Sequence, residues 1–462
     1  PDDVAHLTNI HDEDVADAPS PDEALAGLVE FAGDAKIVAH NAEFDRTFTT
    51  RHPSGYPLLD NIWIDSLDLA RIALPRMRSH RLIDLVKAFG APTSTHRADD
   101  DVAATCALFR ILLAAVHEMP PALVKCIALL APAEQWNTAV VFQHFAQSEA
   151  KPFSLKELRH ESMTSYERKP RIDAKMIQAM EYPTAEDIAQ AFSPTGIVGK
   201  LYDDFEPRKE QLTMAQEVRA AFEASENLVV EAGTGVGKSM AYLVPAVLMA
   251  KANNIAIGVA TKTNALLDQL VYHELPALAQ SLGDITYAPL KGFSHYPCLR
   301  KVNRFVKEGV KMVDVQGTKY SQAPSLGALL SFIDQTDYDD MDSLKMDYRV
   351  VPRRAVTTTS HDCLRRKCPF YGTTCFVHGA RRFAETADVV VTNHTLLFCD
   401  AAADNGLLPP VRHWILDEAH GAEAEARRAF SLEISAEDVI RLAQKVASGE
   451  SRNVYDRAEK KL

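Results

Sequence analysis

No apolar run in this sequence reaches the ~20 residues that a membrane-spanning helix needs, and no signal peptide is recognisable. The expectation is a cytoplasmic protein with no membrane partner. A basic surplus is also missing. The chain has 50 Lys and Arg against 63 Asp and Glu, a formal net charge of −13, which excludes a protein that coats nucleic acid by bulk charge. Close Cys-x-x-Cys pairs are absent too. Seven cysteines, four of them clustered, suit a reducing compartment and a metal site better than a disulfide framework. Residue 1 is Pro rather than Met, which reads as a fragment or a processed chain.

What is present fits a large globular protein. At 462 residues one core is not enough, and two to four domains are expected. Apolar content of 47% and charged content of 24% are ordinary for a soluble chain. The charge is uneven. Residues 1–118 hold 20 Asp/Glu against 10 Lys/Arg, whereas residues 298–382 hold 15 Lys/Arg against 9 Asp/Glu. A local basic module can bind phosphates on an acidic protein.

Residues 227–239 read NLVVEAGTGVGKS. Four apolar or small residues predict a buried strand. Gly233, Thr234, Gly235 and Gly237 form a turn, and Lys238-Ser239 opens an apolar helix running to about Ala250. Strand, glycine turn and helix make the setting of a phosphate-binding loop. Glycines let backbone N–H groups close around a polyphosphate, and the helix start adds further donors. Lys238 is expected on the β- and γ-phosphates of ATP, with the Ser239 hydroxyl on Mg²⁺. Ala232 stands where the strict pattern has its first Gly.

Three more stretches support that reading. Arg208 and Gln211 stand three apart at a helix start upstream of the loop; they can present a donor and acceptor pair to an adenine edge. Ile255–Ala260 predicts a strand ending at Thr261-Lys262-Thr263, a position where open α/β sheets bind ligands. His413–Leu416 predicts another strand, followed by Asp417-Glu418-Ala419-His420. Asp417 suits Mg²⁺, and Glu418 suits the water that attacks the γ-phosphate. His420 is expected to couple the ATP site to a nucleic-acid side.

Residues 1–118 read as a first domain and 119–196 as a helical connector, with the ATP-binding domain over 197–462. In the first, Lys36–Asn41 predicts a strand and His80–Phe89 an amphipathic helix. Asp45 sits at a helix start, and His96 precedes Asp101 on a long apolar helix. A two-metal nuclease needs carboxylates to hold ions about 4 Å apart and a base to activate water. Asp45 and Asp101 are the candidate ligands and His96 the candidate base. The competing reading of Asp45 is a helix cap.

Cys298, Cys363, Cys368 and Cys375 lie between the phosphate loop and Asp417. Four thiolates hold either Zn²⁺ or a [4Fe–4S] cluster. One distant cysteine followed by C-x4-C-x6-C fits a cluster better than zinc. Arg353-Arg354 and Arg365-Arg366-Lys367 flank them. These cations, with Tyr296, Phe370 and Tyr371, suit single-strand phosphates and stacked bases; a solvated charged face is the alternative. Cys106, Cys126 and Cys399 read as core residues.

The segments HLTNI, VAHNAEFD and HRADDDVAAT resemble the DnaQ-like 3′–5′ exonucleases. This resemblance implies an RNase H-like α/β fold. The family's first motif, a strand carrying Asp-x-Glu, has no counterpart in residues 1–35. The expectation is a domain without its first strand, not competent as an exonuclease in the form given. From 197 to 421 the order Arg208/Gln211, AGTGVGKS, TKT, KGFSHYPC, three cysteines, VVVTNH and DEAH resembles the DinG-type, XPD-like iron–sulfur helicases of superfamily 2. Val236, Ser239 and Pro297 are mild departures.

That resemblance implies a RecA-like motor with an inserted iron–sulfur module at about 285–385. It further implies a [4Fe–4S] cluster and ATP-driven 5′–3′ movement on single-stranded or forked DNA in repair or replication. Fusions of the two families occur in bacteria. The residues after His420 are expected to begin an arch-like helical insertion from about 422. The family's second motor lobe, with its arginine, is not recognisable here, so the chain as given is expected to bind ATP and single strands but to hydrolyse and unwind poorly. Two other functions stay open: an exonuclease whose motor portion only binds DNA, and a non-enzymatic DNA-binding module.

Overall fold

The computed structural model describes residues 10–11, 13, 15–92, 98–162, 170–233, 235–283, 285–372, 374–403 and 407–431, with a few positions between 434 and 443. Among them the strands are β1 (Ile37–Ala39), β2 (Trp63–Asp65), β3 (Ile257–Thr261), β4 (Tyr287–Pro289), β5 (Met312–Val315), β6 (Thr318–Ser321), β7 (Val389–Asn393) and β8 (His413–Leu416). The helices that place the sites are α1 (Ala42–Thr49), α2 (Ser66–Ala73), α3 (Ala98–His117), α4 (Leu155–Ser162), α5 (Lys209–Ala224), α6 (Lys238–Asn253), α7 (Leu299–Glu308), α8 (Ala323–Gln335), α9 (Phe376–Ala384) and α10 (Ala422–Ala429). The chain divides into two compact units: Pro1–Glu167 with Lys291–Arg382, and Arg168–Leu290 with Phe383–Leu462.

In the first unit β1 and β2 pair in parallel, Ile37 opposite Trp63 and Ala39 opposite Asp65. Asp65 ends β2 and caps α2, accepting from Leu67 N at 2.8 Å and from Asn41 N at 3.0 Å. One carboxylate thus ties both strand ends together. α3 buries Ala104, Leu108, Leu112 and Val116, a spacing of four that lines one face. Its end lies just before Pro120-Pro121, because proline cannot continue the ladder.

The segment holding the cysteines folds with this unit. α8 is apolar on all sides, and Leu326, Leu329 and Leu330 are fully buried; each contributes ~1.5–3 kcal/mol. It packs on α2, where Gln335 Nε2 donates to Ala73 O at 3.1 Å. Arg159 on α4 is buried; it donates to Thr336 O at 2.5 Å and Thr374 O at 3.2 Å, and its guanidinium lies 4.1 Å from the Phe376 ring centroid. β5 and β6 form an antiparallel hairpin in the same unit.

The second unit is built on a parallel sheet in the order β4-β7-β3-β8. β3 is buried along its whole length, as a strand covered on both faces must be. Ile257 stands opposite Val389 on one side and His413 on the other. α6 is buried on nearly every face and packs on α5.

One expected strand does not form. Asn227–Val230 makes no ladder, and Val229 is 94% exposed. Among the described residues β8 pairs with β3 alone. An apolar run becomes a strand only where a neighbouring edge takes its backbone groups. Cys106, expected in the core, is exposed, and Cys126 and Cys399 are half-buried. After Asp417, α10 is polar and carries the ion pairs Arg427–Glu423 and Arg428–Glu425. No single helix among the described residues is long and apolar enough to cross a membrane.

Candidate nucleotide site and cysteine pocket

The glycine turn enters α6 through Gly235 and Gly237, both left-handed at φ 82° and 83°. Gly237 is needed twice. Beyond its φ, a Cβ there would stand 2.1 Å from Gln211 Nε2. Gln211 Nε2 donates to Gly237 O at 2.9 Å, and Arg208 Nη1 donates to Gly235 O. Both upstream residues therefore brace the turn. Thr234 lies outside the described residues.

The turn meets the acidic pair. Lys238 Nζ is 3.2 Å from Glu418 Oε1. Asp417 N donates to Ala260 O at 2.8 Å, which anchors the Asp-Glu turn to the end of β3. Burial raises the Asp417 carboxyl above its ordinary value, with Glu418 adding repulsion and Lys238 opposing. The buried Tyr242 phenol has Ser239 and Asp417 for neighbours, so the two candidate Mg²⁺ ligands face one place. Both are hard oxygen donors of the kind Mg²⁺ takes. Beside them opens a cleft of about 690 Å³ lined by Met214, Val218, Ala221 and Phe222 of α5, by residues 226–232, by Lys238 and Tyr242 and by 414–420; Gly235, Gly237 and Ser239 are not among its lining residues, so it adjoins the glycine turn rather than being formed by it.

Glu418 is in the left-handed region at φ 55°, a conformation a non-glycine residue holds only when its surroundings impose it. His420 Nδ1 lies 3.3 Å from Glu418 Oε2. The other ring nitrogen, Nε2, is 2.9 Å from Lys262 Nζ at the end of β3.

The four cysteines Cys298, Cys363, Cys368 and Cys375 all line one small cavity of about 30 Å³ in the first unit. Burial pushes the Cys375 thiol up to about 11 and raises Cys368 as well. Cys363 Sγ accepts from Arg365 N at 3.4 Å and faces His378 Nε2 at 3.9 Å. His378 was not singled out in the sequence; its place one helical turn after Cys375 is the signal for it. As the side chains lie, no group of three or more His, Cys, Asp or Glu among the described residues is set to hold a metal ion. The donor chemistry suits a thiolate-held group.

The aromatic residues beside the cysteines divide. Tyr296 is 2% exposed and its hydroxyl accepts from Lys291 N; Phe370 is also buried. Tyr371 is exposed, 4.6 Å from the His378 ring. Of the three expected base-stacking rings, the first two fill core instead. Arg365, Arg366 and Lys367 are exposed, whereas Arg353 is engaged with Asp342 and Ser294 O.

At the base of this segment lies an ionic knot that sequence reading missed. Lys291 Nζ is 3.0 Å from both Asp340 and Asp342, with side-chain exposures of 1%, 5% and 23%. His295 Nδ1 is 2.8 Å from Asp342. Burial raises the Asp340 carboxyl while Lys291 opposes. Asp342 is buried too, yet His295 and Lys291 hold its carboxyl well below the usual range.

In the N-terminal part His96 lies outside the described residues. Asp101 lines a cleft of about 770 Å³ with His40, Asn41, Arg71, Arg78, His80 and Arg81. Asp45 is not among that cleft's lining residues; burial raises its carboxyl, with a smaller contribution from Asp65. Asp68 is displaced most, up to about 7, by burial and then by Asp65.

The exonuclease family model matches residues 1–109. The 3′-5′ exonuclease DinG of Bacillus subtilis is 28% identical over 441 residues, covering 92% of this chain and 45% of the relative. The ATP-dependent helicase DinG of Mycobacterium tuberculosis is 38% identical over 226 residues, 46% of this chain and 34% of the relative. The ATP-dependent DNA helicase YoaA of Escherichia coli is 37% identical over 266 residues, 55% of this chain and 39% of the relative. The chain spans about half the length, or less, of these relatives. An exonuclease domain thus stands at the N-terminus, and most of the chain is similar to proteins of the DinG and YoaA kind.

Proposed function

We propose that this chain carries the ATP-binding part of a bacterial, cytoplasmic DinG-type DNA helicase joined to an exonuclease domain. The observation that carries the reading is the 3.2 Å approach of Lys238 to Glu418, across 180 residues of sequence. A phosphate-loop lysine and an acidic pair at a strand end have one shared use, a nucleoside triphosphate. Lys238 would exchange Glu418 for the β- and γ-phosphates. Ser239 and Asp417 would hold Mg²⁺. Glu418, released, would orient the attacking water.

Within the same reading, Cys298, Cys363, Cys368 and Cys375 would hold a [4Fe–4S] cluster, which pins the basic segment around it. The exposed Arg365, Arg366, Lys367 and Tyr371 support single-stranded or forked DNA as the polymer moved, 5′ to 3′, in repair or replication. Two measurements test the reading. Equilibrium binding of a non-hydrolysable ATP analogue with Mg²⁺ should weaken at least about tenfold in Lys238→Ala. Anaerobically purified protein should contain iron and absorb visible light; zinc without iron would remove the cluster.

The family match over residues 1–109 and the name of the Bacillus subtilis relative favour a second reading. In it the N-terminal domain removes nucleotides from 3′ ends while the motor portion only binds DNA. Asp45, Asp101 and His96 are the residues proposed for that chemistry. Metal-dependent release of nucleotides that disappears in Asp101→Ala, without any binding of an ATP analogue, would favour it.

A further inference from the structure

Among the described residues Arg159 is the largest side chain to be fully buried. It belongs to α4, in a stretch whose sequence carried no chemistry, yet it reaches the last cysteine of the module. Its Nε donates to Thr374 O at 3.2 Å, and its guanidinium carbon lies 4.1 Å from the Phe376 ring centroid. Thr374 and Phe376 are the two residues on either side of Cys375. Nη1 donates to Thr336 O at 2.5 Å and to Ile333 O at 3.4 Å, at the end of α8. One planar fork thus fastens both neighbours of the cysteine to the end of that helix.

Packing alone does not call for an arginine here. An apolar side chain of similar volume would fill the space without the cost of burying a charge. Burial pulls the guanidinium down to about 10, so it is still a cation at neutral pH, with Tyr338, Asp337, Cys375 and Asp339 acting in its favour. At Cys375 burial raises the thiol, while the backbone N–H groups of His378 and Val377 favour the thiolate. Cys375 lines one cavity with Cys298, Cys363 and Cys368. A metal group held by four thiolates is a net anion, and a fixed cation stabilises an anion most where water is excluded.

We propose that Arg159 is a positioning residue for Cys375 and a fixed counter-charge of the four-cysteine site. The proposal rests on the reading of that site as an iron–sulfur centre. It gives the guanidinium two separable tasks. The fork holds the main chain on both sides of Cys375, which keeps the thiolate at the cavity. The charge favours the more negative, reduced state of the centre. A helix from the stretch between the N-terminal domain and the motor thereby becomes part of the cysteine module.

The test uses the whole chain, purified anaerobically, and measures iron content, the rate of iron release to a chelator and the midpoint potential. Arg159→Met keeps much of the stem but lacks the fork and the charge; it should release iron about tenfold faster than the parent. Its oxidised-to-reduced ratio at a given potential should rise about tenfold, a midpoint lowered by ~59 mV for one electron. Arg159→Lys restores the charge without the fork, so that ratio should return to within about twofold of the parent while iron still leaves faster. Leu158→Ala loosens the same helix at a buried position and spares the guanidinium. It should lower the urea midpoint and leave iron release and potential near those of the parent. Iron release from Leu158→Ala as fast as from Arg159→Met would make Arg159 packing only and overturn the proposal. Parent-like release and potential in Arg159→Met overturn it while leaving the iron–sulfur reading intact. If Arg159→Met does not fold, Arg159→Lys decides: iron release at the parent rate overturns the proposal. A parent that contains no iron overturns both.

Discussion

Replacing Lys291 by Met should unfold the first unit at markedly lower denaturant. The lysine side chain is 1% exposed and stands 3.0 Å from Asp340 and from Asp342. Met keeps most of its length but removes the cation. Asp342 retains His295 and Arg353. Asp340 faces Lys291 and is otherwise buried, so it is left as an acid without its counter-charge. Breaking a buried pair from one side costs about 3–5 kcal/mol. The Asp342 contacts that survive place the expected loss at the low end, about 3 kcal/mol. With a urea slope of ~2–3 kcal/mol per molar, the midpoint should fall by about 1–1.5 M. Tryptophan fluorescence reads this cleanly. Trp63 and Trp136 are buried in the first unit, and Trp414 belongs to the second. In a Trp414→Phe background the signal comes from the first unit alone. Adding Asp340→Asn to Lys291→Met should recover more than half of the loss, because the orphaned charge is gone. A midpoint unchanged by Lys291→Met, or no recovery in the double variant, would refute the reasoning.

The other predictions concern single positions. Gly237→Ala should weaken nucleotide binding by roughly tenfold or more and also lower the urea midpoint by about 0.5 M, since it strains the turn at φ 83° and collides with Gln211 at a cost of about 1–2 kcal/mol; equilibrium binding and urea unfolding check it. Asp68 takes up a proton as the chain folds between about pH 4 and its folded value of about 7, so stability should fall as pH rises through that window. Its side chain keeps 22% of its surface in water, so the loss is taken as about 2 kcal/mol rather than the ~4 kcal/mol of the full displacement. Asp68→Asn should flatten that slope in urea unfolding at pH 5 and pH 8. Cys368→Ser should lower the iron content of anaerobically purified protein and make residues 291–382 more open to proteolysis, measured by metal analysis and limited trypsin digestion.

Local features were the legible ones. The amphipathic pattern of His80–Phe89 gave a helix that the structure sets at Leu82–Ala88, and His413–Leu416 is a strand with the expected bounds. The proline pair after His117 marks a real break. Each of these depends on periodicity or on a backbone restriction within a few residues. What failed depended on distant partners. Residues 227–230 had a strand's composition, but no neighbouring strand takes their backbone groups among the described residues. Tyr296 read as a surface ring because its neighbours are polar; its hydroxyl instead accepts Lys291 N from inside. Cys106 lies in an apolar stretch yet on the exposed face of α3.

The site follows the same rule. The glycine turn and the Asp417-Glu418 pair were readable one motif at a time. That Lys262 reaches His420 and that Lys291 ties Asp340 to Asp342 were not, since charged side chains carry no periodic mark of their partners. The all-round apolar α8 could have been recognised as a buried helix; that it packs on α2 could not.

In the proposed function, the glycine turn and the acidic pair meet on one triphosphate. Photolabelling with an azido-ATP in the presence of Mg²⁺, followed by peptide mapping, tests it most directly. Label is expected in the peptides spanning 226–242 or 414–420, competed by ATP and lost in Lys238→Ala. Label confined to other peptides, or label that persists undiminished in Lys238→Ala, would contradict it.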